Sequence, residues 1–192
     1  MKRIVLLISF LAVLTLCASA QMAYVNFHEM PIATTPQQMP DNYPEGFMLN
    51  WDHFFYVSPG TWGNEGPGFL VDPSTQHNSV AFVGGSQCAL AAACFASIKM
   101  QSPIMVSRPE SFTPISITVT AGWGTNNVTV MAYNNSKFVG SLVWKLTTKP
   151  HTFSFPASWN ITQLVFTPGI APLKSVYPAG SMVIYSFVVM KH

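Results

Sequence analysis

At 192 residues, with 8% charged and 13% aromatic side chains, the chain suits one domain of ordinary size and is too apolar to be disordered. Soluble proteins average roughly 25% charge. Nine bases without a cluster cannot neutralise a phosphate backbone, so nucleic acid is excluded as a partner.

The first twenty residues read as a secretory signal peptide. Lys2 and Arg3 form a basic start, Ile4 to Leu16 is an uncharged run broken only by Ser9 and Thr15, and Ala18-Ser19-Ala20 offers small residues for cleavage before Gln21. A run of thirteen residues is too short to cross about 30 Å of hydrocarbon comfortably. The expectation is a secreted, extracellular domain over 21–192, with no membrane span in the mature chain. Loss of Lys2 and Arg3 leaves seven bases and seven acids, formally neutral.

Along the mature chain, short apolar runs with period-two character predict strands at 24–30, 47–51, 54–57, 80–83, 95–99, 104–107, 115–121, 128–133, 138–146, 152–155, 164–167 and 182–190. Ile115, Ile117, Val119 and Ala121 alternate with hydroxylic residues, the pattern of a half-buried strand. In the next long run Phe138, Gly140, Leu142, Trp144 and Leu146 share one face, with Ser141 and Lys145 on the reverse. Pro31, Pro36, Pro40 and Pro44 mark an irregular segment, and 58–79 reads as a second long loop. Asn126-Asn127, Asn134-Asn135 and Thr147 to Pro150 are read as turns. Only Leu90 to Ala93 has helical propensity. So many short strands and so little helix predict an all-β antiparallel β-sandwich or barrel in a single domain.

Cys17 leaves with the signal, so Cys88 and Cys94 remain. In an oxidising compartment an intrachain disulfide is expected, with two buried thiols or an intermolecular bridge as alternatives. Asn127, Asn134 and Asn160 each begin an Asn-x-Ser/Thr acceptor and are candidate glycosylation sites. Charge is split along the sequence. Six acids precede residue 73, whereas the mature bases all follow residue 98. Either an acidic patch forms, suited to Ca²⁺ or a cationic partner, or strands interleave and the charges pair across the surface.

Tyr43-Pro44-Glu45-Gly46-Phe47, Trp51 and Phe54-Phe55-Tyr56-Val57, followed in order by Ser79 to Gly85, Phe112 to Trp123, His151 to Phe155 and Ile161 to Phe166, form a motif order that resembles secreted jelly-roll domains with a galactose-binding-like sandwich, akin to carbohydrate-binding modules. The stretch from Tyr43 to Val57 is similar to their opening motif, and the other four are similar to their later strands. The resemblance implies the jelly-roll fold over about residues 24–190. In some relatives acidic pairs near both ends hold a structural Ca²⁺. Here Phe27-His28-Glu29 and Tyr185-Ser186-Phe187 leave Glu29 as the only matching ligand, so no tight metal site and no cofactor is expected.

Catalytic signals are weak. No Gly-x-Ser-x-Gly elbow occurs, and Asp52 with Glu65 would be a glycosidase pair only by coincidence of folding. His28-Glu29 and Asp52-His53 are strand neighbours that point to opposite faces. A sugar site needs flat aromatic faces beside placed amides and carboxylates. Trp62, with Asn64 and Glu65 in a Gly/Pro-rich loop, is the leading candidate; Tyr43, Trp123, Trp51 and Trp159 follow, and Trp144 is assigned to the core. The sequence thus predicts a non-enzymatic protein binding a glycan or cell-surface ligand. The alternative is a structural or interaction protein of an extracellular coat or host interface.

Overall fold

The computed structural model describes residues 20–27, 29–31, 37–45, 47, 49–57, 80–83, 96–100, 110–121, 125–168 and 182–192. Among them are twelve strands: β1 (Gln21–Asn26), β2 (Gln37–Gln38), β3 (Leu49–Asp52), β4 (Phe54–Val57), β5 (Val80–Val83), β6 (Ala96–Met100), β7 (Phe112–Ala121), β8 (Asn126–Asn134), β9 (Lys137–Leu146), β10 (His151–Ser154), β11 (Gln163–Pro168) and β12 (Met182–Lys191). They form an antiparallel β-sandwich of the jelly-roll type. One sheet runs β10-β7-β12-β5-β4-β2 with β1 also on β12; the other runs β3-β6-β11-β8-β9. The chain changes sheet at most connections, so neighbours in space come from distant sequence.

The period-two pattern builds this core directly. Val128, Val130 and Ala132 of β8 point inward, as do Leu164 and Phe166 of β11 and Phe187 and Val189 of β12. β7 departs from the expected uninterrupted alternation. Its pairing with β12 shifts between Val188 and Val189, which face Ser116 and Pro114, so Ile115 drops out of register. Ile115 is only half buried, and the inward set is Phe112, Pro114, Ile117, Val119 and Ala121. The Ile115 carbonyl instead accepts the Phe155 amide at 3.0 Å. Asn126 and Asn127, expected in a turn, open β8 opposite Leu146 and Lys145. The proline-rich segment contributes β2, a two-residue strand on β4 that the sequence reading left irregular. Among the described residues no helix is long and apolar enough to cross a membrane.

Tyr43 ties the start of the chain to the core. Its hydroxyl donates to the Asn26 carbonyl, and its ring stacks on Phe27 with centroids 5.9 Å apart. The Tyr43 carbonyl accepts the Trp51 indole N–H at 2.6 Å. Burial, and behind it the negative charge of Glu29, raises the Tyr43 hydroxyl above the ordinary value of 10.0. Above that pH the unfolded chain releases a proton that the folded chain retains. Stability should therefore fall as pH rises past the ordinary tyrosine range. Ultraviolet titration should reveal a late-ionising tyrosine component that is lost in Tyr43→Phe; a titration unchanged apart from the loss of one ordinary tyrosine would refute the assignment.

Candidate functional site

The best-formed candidate lies on the outer face of the five-stranded sheet, where the β8–β9 hairpin makes its edge. The turn is two residues long, with Asn134 opposite Lys137 and both Asn135 and Ser136 at positive φ, 47° and 66°. That is the geometry of a type I′ hairpin, which asparagine tolerates. It places Phe138 opposite Tyr133. One step further, Ala132 faces Gly140, so Val139 is an extra residue on β9. This β-bulge decides which side chains meet solvent.

Beyond the bulge, Gly140, Leu142, Trp144 and Leu146 point inward as the sequence predicts. Phe138 does not. The bulge turns it to the outer face, where it is 55% exposed and meets the Tyr133 ring edge-on at 5.9 Å. Tyr133 donates its hydroxyl to the Met131 sulfur at 3.5 Å, and Val143 on the same face is 70% exposed. The result is an apolar platform of Phe138, Tyr133, Met131 and Val143, with Ser141 and Thr129 supplying hydroxyls. On the inner side Trp159 lies flat against this strand. A Cβ on Gly140 would sit 3.2 Å from its indole, so any larger residue there needs the ring to give way by a few tenths of an ångström.

Charge separates across this sheet. No Asp or Glu follows Glu110 in the sequence, so β7 to β12 carry no carboxylate. Lys137, Lys145 and Lys149 are exposed and have no ion pair among the described residues. Lys191 is paired to Glu110 at 2.6 Å. Asp52 lies on β3 at the opposite edge, four strands away, roughly 19 Å at the usual strand spacing. That exceeds a Debye length of about 8 Å at physiological salt. On this sheet the two halves do not interleave, and its β9 side is purely cationic.

The other expected site residues fall variously. Trp62, Asn64, Glu65, Trp123, Cys88 and Cys94 lie outside the described residues, as do the expected strand 104–107 and the alanine-rich 90–93. Trp51 and Trp159, weighed as sugar-stacking faces, are buried in the core and offer no free face. Trp144 is core as expected, stacked on Phe153 at 4.7 Å. Tyr43 is half buried with its hydroxyl committed to Asn26. Glu29 is exposed in a turn, and the described residues include no group of three or more His, Cys, Asp or Glu able to hold a metal. Asn127 and Asn160 are exposed. Asn134 donates its amide to the Asn160 carbonyl at 2.9 Å, while the Asn135 N–H donates to Thr162 Oγ1 at 3.0 Å, so two of the three acceptor motifs are hydrogen-bonded to each other.

Fold and site together describe an all-β sandwich with a solvent-facing aromatic platform on one sheet. No known family matches the chain, and no curated protein does. Among solved structures it is similar to a DUF4465 family protein from Bacteroides ovatus, with 10% identity over 90% of this chain and 99% of that one and a TM-score of 0.48. It is also similar to a CBM4 structure, with 14% identity over 82% and 95% of the two chains and a TM-score of 0.32.

Proposed function

We propose that the protein is a secreted, non-catalytic binding protein that recognises carbohydrate through the outer face of the five-stranded sheet. The observation that carries this reading is Phe138, left 55% exposed on the outer face beside Tyr133. Burying such a ring would stabilise the fold by roughly 1.5–3 kcal/mol. Its exposure on a strand, next to a second aromatic and flanking hydroxyls, suits the apolar face of a sugar ring. Trp62, Asn64, Glu65 and Trp123, expected from the sequence to combine aromatic faces with polar groups, form a second proposed contact set.

The test is a glycan array followed by titration of the best binder against Phe138→Ala and Trp62→Ala. Phe138→Ala should abolish binding and leave the melting temperature nearly unchanged, because little buried area is lost. Full binding by Phe138→Ala with loss in Trp62→Ala moves the site to the loop. Full binding by both discards both surfaces.

A second reading, protein-to-protein docking in an extracellular layer, is favoured by a different face. Met22 and Tyr24 on β1 are 66% and 65% exposed and lie opposite Met190 and Val188, making an apolar strip on the seven-stranded sheet. An array without any binder, and a partner lost on Tyr24→Ser, would favour it.

A further inference from the structure

We propose that the polymer held by the β9 platform is an anionic polysaccharide, its carboxylate or sulfate groups met by Lys137 and Lys145; this rests on the reading that the platform binds carbohydrate. The two lysines lie toward opposite ends of the strand that carries the apolar surface. Lys145 follows Val143 on the outer face toward the far end of β9. Lys137 stands exposed at the hairpin tip, one residue before Phe138 and so rooted on the other face, where only a polymer that runs past the end of the strand meets it. Eight residues separate them, roughly 25 Å of strand and long enough for several sugar rings.

Three observations select a negatively charged partner. Lys137 and Lys145 are exposed and unpaired among the described residues, and Lys149 continues the same edge into the next turn. No carboxylate exists on β8, β9 or β11 to compete for them or to repel an acidic ligand. The nearest described acid on this sheet, Asp52, belongs to the opposite edge strand and is screened from it. A neutral glycan would use the rings and leave these cations idle. A bare polyanion would use the cations and leave Phe138 idle. A sugar polymer with spaced acids uses both.

The experiment compares polygalacturonate, dextran sulfate and neutral dextran as ligands of the secreted protein, at about 20 mM and about 300 mM salt. The expected result is binding of an acidic polymer, weakened by salt, with neutral dextran bound at least tenfold more weakly. Polygalacturonate against dextran sulfate tells carboxylate from sulfate recognition. The double substitution Lys137→Gln/Lys145→Gln should weaken acidic binding by roughly tenfold, the scale of two exposed charge contacts, and flatten its salt dependence. Phe138→Ala should weaken acidic binding at both salt concentrations.

Equal binding of neutral and acidic polymers, unchanged in the lysine variant but lost in Phe138→Ala, overturns the anionic assignment and leaves the platform standing. Acidic binding that ignores Phe138→Ala overturns the platform as well. Polyglutamate or duplex DNA bound as tightly as polygalacturonate would show that charge alone is read, and would overturn the sugar component. No binding of any polymer overturns both readings.

Discussion

Trp51→Ala should lower stability by about 3–5 kcal/mol, the usual cost of emptying a large buried aromatic site. Its ring is the hub of the core beneath β3, edge-on to Phe27, Phe54 and Phe187 with centroids 5.4 to 6.5 Å away. Three neighbours from three separate strands or turns cannot all collapse into the vacated space. The substitution also strips the Tyr43 carbonyl of its indole donor. An acceptor left without a partner adds a cost of about 1–3 kcal/mol where water cannot replace it. Denaturant unfolding checks the figure. A loss below about 1.5 kcal/mol would mean that Tyr43 and Phe27 relax into the gap.

Trp144→Ala should cost a similar amount, about 3–5 kcal/mol, from the opposite edge of the same sheet. This ring stacks on Phe153 at 4.7 Å and touches Phe155 and Phe166 at 5.5 and 6.2 Å. It therefore fastens β9 to β10, the edge strand of the facing sheet, and to β11 at the centre of its own sheet. Comparison with Phe138→Ala on the same strand is the informative control. Surface substitutions stay within about 0.5 kcal/mol, so two aromatics six residues apart should differ severalfold in cost. Equal costs would contradict the bulge, because they would require Phe138 to be packed inside.

Much of the sandwich was legible because period-two alternation reports burial without reference to topology. The strands at 54–57 and 80–83 were placed to the residue, and the inward sets of β8 and β11 follow their sequences. Sheet order was not legible, since β3 joins β6 and β1 joins β12 through contacts that no local pattern encodes. The platform was misread for a definite reason. Phe138 keeps parity with Trp144, and parity alone puts both inside. The Asn135-Ser136 turn, however, seats Tyr133 against Phe138, while the core needs Val128 against Trp144. Those two demands differ by one residue, so a bulge between them was deducible from the turn and the core taken together. For the tryptophans, aromatic residues in loops and strands carry no mark of which face is free. Trp159 is adjacent to an asparagine and preceded by a tight turn, as an exposed residue would be, yet it covers Gly140.

The extra residue on β9 also changes what this gene can lose. Removing a codon from the middle of a strand normally turns every later side chain over and destroys the core. Val139 is the exception. Without it, Phe138 would still meet Tyr133 and Gly140 would still meet Ala132, as consecutive pairs of an unbroken ladder. The strand has a single position where shortening keeps inside and outside as they are, next to the ring that faces the solvent. Loss or gain of one amino acid there adjusts the local twist under Phe138 while the interior keeps its register, so the surface can drift through insertions and deletions that the rest of β9 would not survive.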